Sequence, residues 1–162
     1  MEPTILTHSG RYFDFTKPHE HDFQIEDIAK ALSNICRFNG HCPFYSVAQH
    51  SVAVSMLVPP EYAMEGLMHD APEAYLGDVT APLKMLLKDY GALEDATWTA
   101  IALRFGLTLQ LHPSIKLADL GMLKLERKKL FANDPGGEWS ITQPIPCAPD
   151  HLLQWAAGPS QA

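Results

Sequence analysis

The sequence predicts an all-α protein. Three observations carry that expectation. Apolar residues recur at helical spacing in several separate segments, proline and glycine punctuate the ends of those segments, and no β-α-β alternation is present. Residues 1–23 stand apart as an irregular, aromatic-rich stretch. In it Tyr12, Phe13 and Phe15 alternate with polar neighbours, as in a short strand or an extended arm.

Ile25 to Phe38 is the first predicted helix. Ile25, Ile28, Ala29, Leu32, Ile35 and Cys36 share one face, and Asn39-Gly40 stops it. Phe44 to Val58 is the second, ended by Pro59-Pro60. Glu61 to His69, rich in Ala, Met and Leu, is the third. Pro72 opens a further turn, because the fixed φ of proline suits the first helical position, and Gly77-Asp78 interrupts it. Pro82 to Leu87 is a short helical piece. Leu93 to Phe105 is longer, with Trp98, Ile101, Ala102 and Phe105 as its inner stripe. The next helix begins at Pro113-Ser114 and runs to about Phe131. Asn133 to Gly137 is a strong turn, Pro144 to Pro149 is irregular, and Asp150 to Ala157 forms a short closing helix. The chain reads as one domain over residues 1–162. Its core covers about residues 24–132, with the arm and the tail packed on it.

A length of 162 residues with 46% hydrophobic content suits one domain with a sizeable core. No stretch approaches the roughly 20 apolar residues of a membrane span. The segment Met1 to Gly10 lacks the basic and apolar regions of a signal peptide, so the expectation is a cytoplasmic protein without a membrane partner. Cys36, Cys42 and Cys147 form no C-x-x-C unit and read as reduced thiols. The net charge of −7, with Arg127, Lys128 and Lys129 as the one dense basic group, excludes a nucleic-acid polymer as partner. A small phosphate-bearing ligand needs only a local cation or two. Eight histidines raise the weight of metal or acid–base chemistry.

Six residues carry the chemical signal. His69-Asp70 closes the apolar run Ala63 to Met68, where an imidazole and a carboxylate are costly unless paired or metal-bound. Glu73 follows four residues after His69 and three after Asp70, which brings it to a neighbouring helical face. Asp78 follows at the interruption. His50 lies among Val47, Ala53 and Val54. Asp119 sits in the apolar stretch Ile115 to Leu123, next to Gly121, where another helix can approach closely. Singly, each has an ordinary structural explanation. Together, a histidine, a His-Asp doublet and a later aspartate, all on predicted helices, form an ordered pattern. Two imidazoles and two carboxylates make a mixed N/O site for Mn²⁺, Co²⁺, Fe²⁺, Ni²⁺ or Zn²⁺, with positions left for water and a phosphate oxygen.

The order His50, His69-Asp70, Asp119 resembles the signature of the HD-domain phosphohydrolase superfamily. The surroundings sharpen the likeness. Asp27 to Phe38, Phe44-Tyr-Ser-Val-Ala-Gln-His-Ser51 and His69-Asp-Ala-Pro-Glu-Ala-Tyr-Leu-Gly-Asp-Val-Thr-Ala-Pro-Leu-Lys84 resemble the bacterial and phage HD-domain 5′-deoxynucleotidases. Phage dATP triphosphohydrolases share the same core. The likeness spans roughly residues 10–130. It implies a compact HD-domain helical bundle with His50, His69, Asp70 and Asp119 as ligands of a divalent ion, Mg²⁺ being a further candidate. It implies Glu73 and Asp78 as catalytic acidic residues, and Arg37 and Lys84 as cations that grip substrate phosphate. Phe38 and Pro82 fall where the family lines its nucleoside pocket. Many members place a tryptophan directly after that arginine; this chain has Phe38.

The implied reaction is hydrolysis of the 5′ phosphoester of a (deoxy)nucleotide. It releases phosphate from a monophosphate or triphosphate from a dNTP. The 5′ alkoxide is a poor leaving group and needs a proton, for which Glu73 is the first candidate and Asp78 the second. Two rivals stand beside this reading. A two-metal HD-type phosphodiesterase needs extra histidines between the doublet and the last aspartate, and only His112 lies there. A metal-bound nucleotide sensor without turnover needs the same ligands but not Glu73 and Asp78. The likeness also implies a homo-oligomer, with Met56-Leu57-Val58 and the tail residues Leu152, Leu153 and Trp155 as candidate contacts.

Overall fold

A computed structural model describes residues 2–137, 139 and 144–153. The N-terminal arm is a β-hairpin, with β1 (Thr4–Leu6) antiparallel to β2 (Tyr12–Asp14) and Ile5 opposite Phe13. Among the described residues seven α-helices follow: α1 (Ile25–Asn34), α2 (Val47–Leu57), α3 (Ala63–Met68), α4 (Glu73–Leu76), α5 (Ala81–Lys84), α6 (Tyr90–Phe105) and α7 (Pro113–Leu130). The expected all-α character holds, with the small hairpin added to it. Asp150–Leu153 forms a single 3₁₀ turn at the place of the expected closing helix, whose residues 154–157 lie outside the described residues.

The arm is anchored by Phe13, which is fully buried. Its ring lies 4.6 Å from that of Tyr75 and 5.5 Å from that of Phe23. A second tie fixes the arm to α1. Asp27, in the first turn of α1, accepts hydrogen bonds from the backbone N–H of Ser9 at 2.6 Å and its hydroxyl at 2.7 Å.

The first helix is shorter than its apolar spacing predicts, ending at Asn34 and not at Phe38. The cause is a competing backbone partner. Arg37 N–H donates to Tyr45 O at 2.9 Å and Val47 N–H to Ile35 O at 3.0 Å, which pairs Cys36 with Ser46 in an antiparallel bridge. The chain between reverses through Phe38 and Asn39, at φ +56° and +52°. For a bulky residue such as Phe38 that left-handed backbone is strained and needs support from its surroundings. The same bridge delays α2 to Val47. Ser46 opens it with a capping box, accepting from Gln49 N–H while Gln49 Oε1 accepts from Ser46 N–H.

Other boundaries shift by a turn. Residues 60–62 form a 3₁₀ turn before α3, α5 ends at Lys84 and not Leu87, and α6 starts at Tyr90 and not Leu93. Ile101 and Ala102 of the expected α6 stripe are fully buried. Trp98 and Phe105 are half-buried, and Thr97 and Ala100 complete the inner face. Gly106 closes α6 at φ +66°, the left-handed end that glycine adopts freely.

α2 is the central helix. Val47 feeds one half of the core with Phe13, Ile28, Leu32 and Met68, while Ala53 and Val54 feed the other with Ile115, Met122 and Leu125. His50 lies between them. Leu152 and Leu153, expected as contact residues, are buried in the second half against α7, and Trp155 lies outside the described residues. Of the other expected contact segment, Met56 is exposed and Val58 is buried. Among the described residues no helix is long and apolar enough to cross a membrane.

Candidate metal centre

α2 carries the His50 ring, fully buried, into the seam between the two halves of the core. Its Nδ1 lies 2.6 Å from Glu126 Oε1. An ionised carboxylate only accepts, so Nδ1 holds a proton, and the ring in its neutral form presents a lone pair at Nε2. That Nε2 lies 3.3 Å from Asp119 Oδ1 and 3.7 Å from Asp70 Oδ2, and has no hydrogen-bond partner.

His69 repeats the arrangement from α3, whose C-terminal end it caps. Its Nδ1 lies 2.8 Å from the carbonyl oxygen of Gly66, which again fixes the proton there. Its Nε2 is buried without a hydrogen-bond partner and lies 3.2 Å from Asp70 Oδ1. His50, His69 and Asp119 each offer one ligating atom, all within 4.8 Å of one another. Buried ring nitrogens without partners are costly. Two of them aimed with a carboxylate at one point fit a divalent ion, and the N/O donor set suits borderline transition metals. Asp70, on the turn after α3 and expected as a fourth ligand, stands beside this group of three, with Oδ1 3.2 Å from His69 Nε2 and Oδ2 3.7 Å from His50 Nε2.

The charges reinforce one another. Burial and the Arg37 charge oppose protonation of His50, but the Glu126 and Asp119 carboxylates outweigh them and push its pKa up to about 9. Burial disfavours the anionic form of Asp70 too, yet His69, His50 and Arg37 hold it well below the usual carboxylate range. Asp119 is held low in the same way, chiefly by His50. A metal and a proton compete for the same Nε2 lone pair.

Arg37 lies deep beside this cluster. Its Nη1 is 3.6 Å from Asp70 Oδ2 and its Nη2 is 3.1 Å from Glu126 Oε2, while Nε has no partner. The extended stretch that shortens α1 delivers it there. Glu73 opens α4 and is buried, with Oε2 unpaired. Burial first, then the carboxylates of Asp70 and Asp78, push its pKa up to about 10, with Arg37 and Lys84 offsetting part of the rise. Burial raises Asp78 as well, against the pull of Arg37.

The remaining expected residues stand further out. Lys84 is ion-paired with Glu94 and lies 5.2 Å from the centre of the Tyr90 ring. Pro82 is exposed in the first turn of α5. The Phe38 ring lies against the Arg37 guanidinium, 5.4 Å from its carbon to the ring centre, meets Phe131 edge-on at 5.1 Å and lies 6.5 Å from Trp139. Phe131 and Trp139 line a cleft of about 460 Å³ together with Arg127, which lies over the Trp139 ring. His112 is no member of the cluster. It caps α7 and stacks on Tyr62 with ring centres 4.0 Å apart.

Glu126 is the buried acidic residue that the sequence does not single out. It sits in Leu125-Glu-Arg-Lys-Lys129, which reads as a solvated charged run. One signal was available. Glu126 lies seven residues after Asp119, two turns along the same helical stripe as buried Met122.

Fold and site define a mainly helical protein with a buried histidine–carboxylate centre able to hold a metal ion. No protein-family model matches the chain. It is 49% identical over 143 residues to the Uncharacterized protein YfdR of Escherichia coli (strain K12), covering 88% of this chain and 80% of that protein. It is 37% identical over 137 residues to the Uncharacterized protein RCAP_rcc00048 of Rhodobacter capsulatus, covering 75% of this chain and 70% of that protein. The chain belongs to the family of these relatives.

Proposed function

We propose that the protein is a metal-dependent phosphohydrolase of the HD-domain type, cleaving the 5′ phosphoester of a (deoxy)nucleotide, as a monophosphate or as a dNTP. One observation carries this reading. Two partnerless imidazole nitrogens meet the Asp119 carboxylate at a largely buried point, with the Asp70 carboxylate 3.2 Å from one of them, and a buried carboxyl poised to hold a proton stands beside them.

Each part has a task in that reaction. His50, His69, Asp70 and Asp119 hold the ion. A bound divalent metal lowers the pKa of its water and screens the phosphoryl oxygens. Glu73 keeps its proton at neutral pH and passes it to the 5′ oxygen as the P–O bond breaks. Asp78 raises the proton affinity of Glu73. Arg37 presents positive charge beside Asp70, where the transition state gathers negative charge. Lys84 adds a second cation once substrate phosphate competes with Glu94 for it. Phe38, with Phe131 and Trp139 beyond it, offers ring faces for a base next to the phosphate site. The position of His112, stacked on Tyr62, favours a single protein-held metal over a two-metal phosphodiesterase. Assembly as a homo-oligomer belongs to the same reading, and analytical ultracentrifugation tests it.

The decisive experiment incubates the protein with the four deoxynucleotides, each as mono- and triphosphate, in the presence of Mn²⁺, Co²⁺, Zn²⁺, Fe²⁺, Ni²⁺ or Mg²⁺, and separates the products. Release of phosphate or triphosphate with free nucleoside is the expected result. Tight nucleotide binding without turnover under every metal overturns the enzyme reading in favour of a sensor.

A further inference from the structure

We propose that Glu126 is the positioning residue of the metal centre: its carboxylate grips the His50 ring by Nδ1, so that Nε2 is turned on the ligand cluster. This role rests on the cluster being a metal centre. It is independent of the reaction that the centre serves.

The geometry is specific. Glu126 is fully buried in a stripe otherwise filled by Met122 and Leu125, a place where a carboxylate is expensive unless each oxygen has work. Oε1 meets His50 Nδ1 at 2.6 Å, and Oε2, without a hydrogen bond, stands in an ion pair 3.1 Å from Arg37 Nη2. An ion pair with Arg37 alone would need only one of these. Asp119 and Glu126 stand two helical turns apart on α7 and address opposite edges of one imidazole, Asp119 at Nε2 and Glu126 at Nδ1. A ring gripped at Nδ1 exchanges its two nitrogens by rotation about χ2 only if that hydrogen bond breaks. A carboxylate on the far nitrogen also makes the near one a stronger donor. Arg37 anchors that carboxylate from outside and reaches Asp70 with its other nitrogen, which ties Glu126 to a second ligand.

The test uses the full chain stripped of metal and titrated with Co²⁺, read by calorimetry and by the visible absorption of the bound ion. Glu126→Gln keeps the size and one acceptor but removes the charge. It is expected to weaken Co²⁺ binding by ~10–100-fold and to alter the absorption band. Leu152→Ala, a cavity in the core beside α7, is expected to lower Tm while leaving Co²⁺ affinity and spectrum as in the wild type. Wild-type affinity and spectrum in Glu126→Gln overturn the role of Glu126 while leaving the metal centre standing. Loss of affinity in Leu152→Ala in step with its lost stability overturns it too, because general loosening then accounts for both variants. A wild-type chain that takes up no Co²⁺ removes the metal centre itself, and the role of Glu126 with it.

Discussion

A carboxylate next to a metal ligand can hold the ion or hold a proton, and at this site the surroundings divide the two tasks. Asp70 faces two imidazoles and a guanidinium, which keep it ionised. Glu73 is buried and faces two other carboxylates, which keep it protonated. Asp70→Ala is therefore expected to abolish both metal content and turnover, measured by elemental analysis and product release. Glu73→Ala is expected to keep its metal and lose ~10²–10⁴-fold in kcat with little change in KM. Near-normal turnover in Glu73→Ala would remove it as proton donor. The cluster of His50, His69 and Asp119 is legible in the sequence because its members interrupt apolar helical patterns, as Asp119 does between Ala118 and Leu120. Glu126 is not, because its neighbours Arg127 to Lys129 disguise a buried position as a solvated one. Only the fold shows that α7 turns Glu126 inward.

Elements bring these residues together through close packing, most plainly where α3 meets α2. A Cβ on Gly66 would lie 3.1 Å from Val58 Cγ2 and 3.2 Å from the Cα of Ser55. Backbone cannot yield as a side chain can, so α3 would have to move, and the Gly66 carbonyl that orients His69 would move with it. Gly66→Ala is expected to destabilise by about 1–3 kcal/mol despite the better helix propensity of alanine, seen in a urea titration, and to weaken metal uptake as well. A variant as stable as wild type would show that the contact is slack. The limits of sequence reading also lie at this scale. Helix interiors follow from apolar spacing, but the end of α1 does not. Ile35 and Cys36 continue the apolar stripe, and only the bridge to the backbone of Tyr45 to Val47 pulls them out of the helix. That partner is tertiary and leaves no local trace. The strained turn at Phe38 follows from it, and so does the inward position of Arg37.

At the scale of the whole molecule, the hairpin arm is bound to the helices by Phe13 and by one carboxylate. Burial works against the anionic form of Asp27, but its hydrogen bonds from Ser9 lower its pKa below the ordinary value. In the window between the folded and unfolded values the unfolded chain binds a proton that the folded chain does not. The contribution of Asp27 is thus complete above about pH 5 and fades as the pH falls through the folded value. Asp27→Asn is expected to lower stability at neutral pH by about 1–3 kcal/mol, with the gap to wild type closing in acid; urea midpoints at a series of pH values measure it. A gap that persists unchanged in acid would exclude the carboxylate as its source. A different constraint follows from the two acidic residues that clasp His50 from α7. Each residue of an α-helix turns the next by about 100°, so one residue inserted or deleted between Asp119 and Glu126 swings one of them off the imidazole. The six residues between them are a fixed gauge, whose length is set independently of which side chains fill it. The exposed turn from Ala132 to Gly137, just beyond the same helix, is held by a different device, the pairing of Asp134 with Arg127 at 2.6 Å.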